Sequence, residues 1–316
     1  MKEITNMKDQ NILVSVVIPT YSRNDTLCKA IDSVLGQTYQ TLEIIVVDDN
    51  PVDSDWRKST EKLMAKYAED QRIRYLKNKQ NLGGAGARNE GIIAANGEYI
   101  AFLDDDDVYF DRKIEKQLEC FIKSNNEKLA LVLCDAEMTM DDDVFVCYTY
   151  HHYSGACLYE AMRDNCLAPT SQWMAKKSAL LSVGMFTIVP CKQDSTLILK
   201  LLENGYEVDY VPEVLSRFCN YQGQGRISWS GLKNLNGELA YRERCRKLYD
   251  RLNKGQIREI EYSFAYRLYN LYKDNNMKDE SKKYMIYMMR THPFETISKN
   301  VKGQISRVKW KIKKRR

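Results

Sequence analysis

The sequence predicts an α/β fold in which a Rossmann-like, mostly parallel sheet is flanked by helices and followed by a C-terminal helical extension. From residue 14 to about 231, short apolar runs alternate with segments of helical spacing, whereas residues 237–291 have helical spacing alone. Strands that alternate with helices pair in parallel, and such sheets bind ligands outside the carboxyl ends of their strands. A chain of 316 residues, 44% of them hydrophobic, can bury the core that this fold requires.

Apolar runs, capping residues and helix breakers place the elements. Val14–Ile18 is a fully apolar strand that ends at Pro19, and Asn24 or Asp25 can cap the following helix, which runs to about Leu35. The other predicted strands are 42–47, 73–76, 99–103 and 130–135, and the other helices are 55–69, a segment from the glycine-rich turn at 83–86 to about 95, 111–122, and three helices within 237–291 with breaks at 254–255 and 275–276. We expect a main domain over 12–231, a helical extension over 232–295 and a tail over 296–316.

Carboxylates follow two of the predicted strands. Asp104–Asp107 are four consecutive aspartates after one strand, and Asp48 and Asp49 follow an earlier one. Like charges this close raise each other's pKa unless a cation neutralises them, and hard oxygen ligands favour Mg²⁺ or Mn²⁺. The alternative is a solvated acidic turn that caps the next helix. Two acidic strand ends in one domain favour a site.

Several classes of protein are not indicated. Nine cysteines form no Cys-x-x-Cys pair, and with three histidines no zinc spacing emerges. No segment approaches the ~18 apolar residues that span a bilayer. We therefore expect a cytoplasmic protein with reduced thiols.

The net charge of the chain resides in its C-terminal tail. After Glu295 there are nine Lys or Arg residues and no acidic residue, whereas the rest of the chain holds 39 basic and 43 acidic residues. Five apolar residues recur in the tail at intervals of three or four, which predicts one apolar stripe on a basic helix. We expect this helix to bind an anionic membrane on the inner face of the plasma membrane. A nucleic-acid-binding tail and a disordered solubilising tail are the alternatives. The stripe consists of Ile297, Val301, Ile305, Val308 and Ile312.

Four motifs in order resemble glycosyltransferase family 2 over roughly residues 14–230. They are Val-Ser-Val-Val-Ile-Pro-Thr-Tyr at 14–21, Ile-Ile-Val-Val-Asp-Asp-Asn at 44–50, Asn-Leu-Gly-Gly-Ala-Gly-Ala-Arg-Asn-Glu-Gly at 81–91 and Phe-Leu-Asp-Asp-Asp-Asp at 102–107. Gln193-Asp194 resembles the Glu-Asp block that this family has later in the chain. The resemblance implies a GT-A fold and a metal-dependent, inverting hexosyltransferase. Its expected donor is a nucleotide sugar of the UDP-linked kind, and its expected acceptor is a hydroxyl of a glycan or lipid-linked molecule in cell-surface polysaccharide or glycoconjugate synthesis.

The resemblance also implies residue roles. Asp194 is the expected catalytic base, and Asp106 the expected ligand of Mn²⁺ or Mg²⁺, with the register within Asp104–Asp107 open by one residue. The expected nucleotide-sugar contacts are Pro19, Thr20, Tyr21, Asp48, Asp49, Gly84, Arg88, Asp104 and Asp105, and the expected pocket for acceptor and donor sugar contains Trp173, Gln193 and Arg226.

Each of these roles has a structural alternative. Asp48 can form a turn with Asn50, Asp194 can cap its helix, and Trp173 can be a core residue. The family usually has Glu where this chain has Gln193. A binding-only relative without catalysis and a nucleotidyltransferase that forms nucleotide sugars therefore remain as alternative functions. Nucleic acid is not an expected partner.

Overall fold

The structure is a computed structural model that describes residues 11–140, 144–164, 167–220 and 231–298. Within them, chain contacts separate two compact units. The first contains residues 11–140, 144–161, 167–189 and 193–220, and the second contains 162–164, 190–192 and 231–298. The sequence-based boundaries at 231/232 and 295/296 remain a prediction.

The amino-terminal half of the first unit is a parallel sheet with the strand order β3-β2-β1-β4. All four strands and the three intervening helices were predicted from the alternation of apolar runs, and the α/β class is confirmed. The strands are β1 Val14–Thr20, β2 Leu42–Asp48, β3 Ile73–Lys77 and β4 Tyr99–Phe102, and the helices are α1 Leu27–Leu35, α2 Asp55–Met64 and α3 Gly83–Ala94.

The other half makes the sheet mixed. From β4 the order continues β8-β6-β9-β5, and β7 pairs with β6. Only β6 and β9 are parallel here, and the other four pairs are antiparallel. Three residues between β6 and β7 are too few for a parallel crossover. These elements are β5 Val108–Tyr109, α4 Lys113–Lys123, β6 Leu129–Met140, β7 Val144–Thr149, α5 Leu158–Asp164, β8 Met174–Lys176, α6 Lys177–Ser182, α7 Gln193–Glu203 and β9 Glu207–Asn220.

Two apolar layers bury the sheet. One contains Val17, Ile45 and Phe102, and the other contains Val16, Ile44 and Ala101, so successive residues of each strand enter opposite layers. Burial on both faces explains why these strands are continuous apolar runs. Ser15 and Glu43 are buried polar residues near the amino ends of β1 and β2, whereas the candidate site carboxylates lie at the carboxyl ends.

The second unit contains the three predicted helices, α8 Gly231–Arg246, α9 Lys254–Asp274 and α10 Lys278–Thr291. The break at 275–276 is confirmed, but α9 already begins at Lys254, because Asn253 and Gln256 form a capping box. Glu238 of α8 is buried, and its carboxylate pairs with Lys192 at 2.8 Å and with Arg267 at 2.6 Å. In the described part of the chain, no helix has the length and apolarity needed to cross a membrane.

Candidate active site

The acidic run lies at the carboxyl end of β4, and a turn folds it back on itself. The Asp107 N–H donates to the Asp104 carbonyl at 3.0 Å, which brings the two side chains to the same place. Asp104, Asp106 and Asp107 each offer one carboxylate oxygen within a group whose atoms all lie within 4.8 Å of one another. Asp105 points away and accepts a hydrogen bond from Thr20 Oγ1 at 2.7 Å. The run therefore divides into a cluster of three carboxylates and one separate carboxylate.

Asp107 is a functional candidate that the sequence did not single out. Its Oδ2 accepts from Ser171 Oγ, and its Oδ1 accepts from the backbone N–H of Cys219 at 3.1 Å. Both donors lie far along the sequence, so only the acidic run itself could have indicated this residue. Its position beside Asp104 makes it as good a candidate ligand as Asp106.

Nearby positive charge neutralises the carboxylates of the acidic run only in part. Burial, followed by the charge of Asp106, raises the pKa of Asp105 to about 7. Burial and the charges of Asp106 and Asp104 raise the pKa of Asp107 well above its ordinary value. Arg23 pairs with Asp106, and Arg88 pairs with Asp104, so two guanidinium groups offset part of the repulsion. Three oxygen donors with excess negative charge fit a hard divalent cation such as Mg²⁺ or Mn²⁺.

Arg88 connects the acidic cluster with the start of α7. Burial lowers the Arg88 pKa, but the charges of Asp104, then Asp194 and Asp105, outweigh burial and leave it raised. A Cβ added to Gly84 would lie 3.2 Å from Arg88 Nη1 and 3.4 Å from Gln193 Oε1. A side chain at position 84 would therefore press on both groups, which explains the glycine there. The fold thus brings Gly84, Arg88, Asp104, Gln193 and Asp194 together.

Asp194 is half-buried in the first turn of α7. Its Oδ1 accepts from the Ser195 backbone N–H at 2.8 Å, which is consistent with a role at the helix end. Its Oδ2 accepts no hydrogen bond within the described part of the chain and is free to act as a base. Gln193 Nε2 donates to the Val189 carbonyl at 3.2 Å, so Gln193 helps to hold the segment before the helix.

Asp48 and Asp49 serve the fold in this structure. The Asp48 carboxylate is buried, accepts from Asn50 N at 2.9 Å and from the Tyr75 hydroxyl, and forms an ion pair with Arg57, whose Nε lies 3.2 Å from Oδ2. This is the turn with Asn50 that was the alternative for Asp48. Because this carboxylate is fully buried, a contact with a uracil or a ribose would require the surrounding groups to open.

The Asp49 carboxylate is likewise saturated. Both of its oxygens accept from the loop before α3, through the backbone N–H groups of Leu82 and Gly83 at 2.8 Å and through the side chains of Asn78 and Asn81. Asp49 therefore fixes the conformation of the glycine turn, and a direct contact with a nucleotide would require it to release these donors.

Three of the remaining predicted site residues are described and differ in their surroundings. Tyr21 is exposed beside Ser22, a left-handed residue with a φ of 52° whose N–H donates to Asn50 Oδ1. Trp173 is fully buried, lies parallel to Phe186 and donates from Nε1 to the Ala168 carbonyl at 2.9 Å. Its indole is a core residue and cannot stack on a sugar. Arg226 lies outside the described residues. Pro19 is half-buried, directly before the buried Thr20 at the carboxyl end of β1, and remains a candidate contact.

Comparison with known proteins identifies this arrangement. Residues 15–161 match the model of glycosyl transferase family 2. The family that this part of the chain resembles is glycosyltransferase family 2. The family 2 match includes β1, the acidic strand ends, the glycine turn and Asp104–Asp107, but it stops before Asp194.

The chain is similar to curated members of the family over part of its length. It is 40% identical over 113 residues to the Escherichia coli UDP-Glc:alpha-D-GlcNAc-diphosphoundecaprenol beta-1,3-glucosyltransferase WfgD. These residues make up 36% of this chain and 42% of WfgD. It is 46% identical over 113 residues to an uncharacterised glycosyltransferase of Rickettsia felis, which covers 18% of that protein. The chain thus spans less than half the length of these relatives.

Solved structures confirm the GT-A type of fold. S. aureus TarS 1-349 in complex with UDP-GlcNAc matches with a TM-score of 0.58 at 15% identity, over 88% of this chain and 91% of that one. Mannosyltransferase PcManGT from Pyrobaculum calidifontis, in complex with GDP-Man and Mn²⁺, matches with a TM-score of 0.57 at 16% identity, over 93% of this chain and 80% of that one. Identities this low establish the fold and not the substrate.

Proposed function

We propose that this domain transfers a sugar from a nucleotide-sugar donor, UDP-linked, to a hydroxyl of a glycan or lipid-linked acceptor, with inversion at the anomeric carbon. The observation that carries the proposal is the position of Arg88. Its guanidinium pairs with Asp104 of the acidic cluster, and the charge of Asp194 helps to raise its pKa. This residue links a candidate site for the diphosphate of the donor with a candidate base for the acceptor.

Each group has a role that its surroundings support. Asp104, Asp106 and Asp107 would hold Mg²⁺ or Mn²⁺, which when bound neutralises charge on a leaving nucleoside diphosphate. Asp194 Oδ2 would accept the proton of the acceptor hydroxyl as that oxygen attacks the sugar. Arg88 would hold Asp104 in place and contribute positive charge beside the diphosphate. One base suffices for inversion, because a diphosphate leaves without a protein acid.

The relatives support the choice of donor and acceptor. The name of WfgD specifies a UDP-linked glucose and an acceptor on a polyprenyl diphosphate. Complexes of TarS with UDP-GlcNAc and of PcManGT with GDP-Man and Mn²⁺ show that the GT-A fold accommodates such donors. We propose by analogy a role in cell-surface polysaccharide synthesis, with Mn²⁺ or Mg²⁺ as the cofactor.

Release of the nucleoside diphosphate tests the proposed reaction. The protein is incubated with UDP-glucose, UDP-N-acetylglucosamine or GDP-mannose, and free UDP or GDP is measured with and without EDTA. We expect release from a UDP-sugar, its loss in EDTA and its recovery when Mn²⁺ is added. Formation of UTP from UDP-sugar and pyrophosphate would instead indicate a nucleotidyltransferase. Donor binding without release from any donor would indicate the binding-only relative.

We further propose that the C-terminal tail, Ser298–Arg316, binds the anionic surface of a membrane. Nearly all of the tail lies outside the described residues, but the helical turn before it carries Phe294, which is 88% exposed, and the half-exposed Ile297. These side chains continue the apolar stripe predicted for the tail. A lipid-linked acceptor requires such placement of the enzyme.

Liposome flotation tests the tail. The full chain should float with phosphatidylglycerol vesicles at low salt and be released at about 0.5 M salt, where screening shortens to roughly 4 Å. A chain truncated after Ser298, which keeps the buried Thr296, should remain at the bottom. A matched variant with serine at Val301, Ile305, Val308 and Ile312 keeps every charge and should float poorly. Equal flotation of the truncated chain would contradict the proposal.

A further inference from the structure

Aromatic rings form an exposed row along β7 that the proposed reaction does not use. Phe145 and Tyr148 are each 50% exposed, and Tyr150 is 63% exposed. Their ring centroids are 4.9 Å apart between Phe145 and Tyr148, and 6.5 Å apart between Tyr148 and Tyr150. The row continues through His152, 6.1 Å from Tyr150, to Tyr210, on which His152 stacks at 4.6 Å. We call these five residues the aromatic strip.

A β-bulge creates the strip. Thr139 of β6 pairs with Phe145, but the preceding residue, Met138, pairs with Cys147, so β7 contains one extra residue at Val146. Side chains alternate between the two faces of a strand, and one extra residue reverses the alternation. Phe145 therefore shares a face with Tyr148 and Tyr150 instead of opposing them. Bulges commonly redirect side chains next to functional sites.

The strand that carries the strip is joined to the candidate active site through its other face, since Thr149 alternates with the two exposed tyrosines. Thr149 Oγ1, between the two exposed tyrosines, accepts a hydrogen bond from Gln172 Nε2 at 3.3 Å. The neighbouring residue, Ser171, donates to the Asp107 carboxylate, and its Oγ accepts from the Asp104 N–H at 3.1 Å. Ser171 and Gln172, which are adjacent in the sequence, thus connect β7 with the acidic cluster.

The charge around the strip excludes polyanionic partners. Between Lys128 and Arg163 the sequence contains no Lys or Arg, and three aspartates directly precede the strip at 141–143. Asp135 accepts from His152 Nε2 at 3.0 Å, and Glu137 pairs with Arg217, so these carboxylates lie beneath the row. Nucleic acid and anionic lipid are bound through basic residues; the segment of the strip supplies none, and the guanidinium of Arg217 is already paired with Glu137.

We propose that the aromatic strip binds a neutral saccharide chain, the part of the acceptor that extends away from the reacting hydroxyl. Flat rings in a row suit the C–H faces of successive sugars, and the tyrosine hydroxyls can bond to sugar hydroxyls. Rings that follow one another along a strand suit a linear repeating ligand better than a compact protein epitope, whose strongest contacts cluster at its centre. This inference rests on the proposed function, because that function makes the saccharide the acceptor. Binding of the saccharide can be measured without turnover.

The test uses the full chain without donor or metal, titrated with neutral hexasaccharides of β-linked glucose and of N-acetylglucosamine by calorimetry. We expect the wild type to bind at least one of them. Tyr148→Leu and Tyr150→Leu should each weaken binding by about tenfold, whereas Tyr148→Phe and Tyr150→Phe should remain within about threefold, because phenylalanine keeps the flat ring and leucine keeps only the apolar area. Tyr287→Leu, an exposed tyrosine on α10, is the matched control and should bind as the wild type does.

Other results would overturn the inference. One is a wild type that binds none of the hexasaccharides, and another is a pair of leucine variants that bind as tightly as the wild type. A third is a dimer of the wild type in sedimentation that the leucine substitutions dissociate, since the strip would then be an interface between copies. Nucleotide release measured on the same proteins separates the two proposals. Release without saccharide binding leaves the proposed function intact and rejects the strip, and saccharide binding without release does the reverse.

Discussion

Asp194→Asn is expected to lower kcat by about 10²- to 10⁴-fold, the range for loss of a general base, while donor affinity is unchanged. The asparagine keeps an oxygen that can accept from the Ser195 N–H, so α7 should retain its first turn. Only the ability of Oδ2 to take a proton is lost. Single-turnover transfer and calorimetric binding of UDP, measured on the same protein, separate the chemical step from binding.

Gln193→Glu is a matched control for Asp194→Asn, since it alters the neighbouring side chain and leaves the proposed base intact. Survival of kcat within about tenfold in Asp194→Asn would make Asp194 a structural residue. Other carboxylates of the unit are poorly placed to replace it. Asp135 is buried and accepts from the His151 N–H at 3.0 Å, and Glu137 is paired with Arg217.

The parallel half of the sheet could be predicted because its strands are buried on both faces. Runs such as Val14–Ile18 are then almost entirely apolar and bounded by polar residues, so they can be recognised in a single sequence. The mixed half could not be predicted in the same way. β5 has two residues and β8 has three, so neither has a pattern, and their pairing depends on partners up to about one hundred residues away.

The location of the candidate site could be predicted from the sequence, but the roles of individual carboxylates could not. Asp104–Asp107 could be found because a run of charge is unusual at a strand end, and Asp194 could be found through the resemblance to family 2. The roles of Asp48 and Asp49 depend on donors from Tyr75, Arg57 and the loop at 78–83. No local pattern shows that these donors converge. The same limit left the register within Asp104–Asp107 open, because the contacts of Asp107 with Ser171 and Cys219 are distant in sequence.

Asp106→Asn and Asp107→Asn are each expected to abolish turnover and to weaken Mn²⁺-dependent binding of UDP by at least about 100-fold, because each removes a candidate ligand. The fold should survive, since each variant removes a charge from a repulsive cluster. Asp105→Asn is the matched control. It removes a carboxylate from the same run, but one that contacts Thr20 and Arg23 and lies outside the cluster of three.

Calorimetric titration of UDP with and without Mn²⁺ decides the assignment. The wild type and Asp105→Asn should bind UDP more tightly when Mn²⁺ is present, and the other two variants should show little difference between the two conditions. A large Mn²⁺ effect in Asp107→Asn alone would restrict the ligands to Asp104 and Asp106. The same Mn²⁺ effect in all three variants would place the cation elsewhere, and Arg23 and Arg88 would then be the groups that neutralise the acidic cluster permanently.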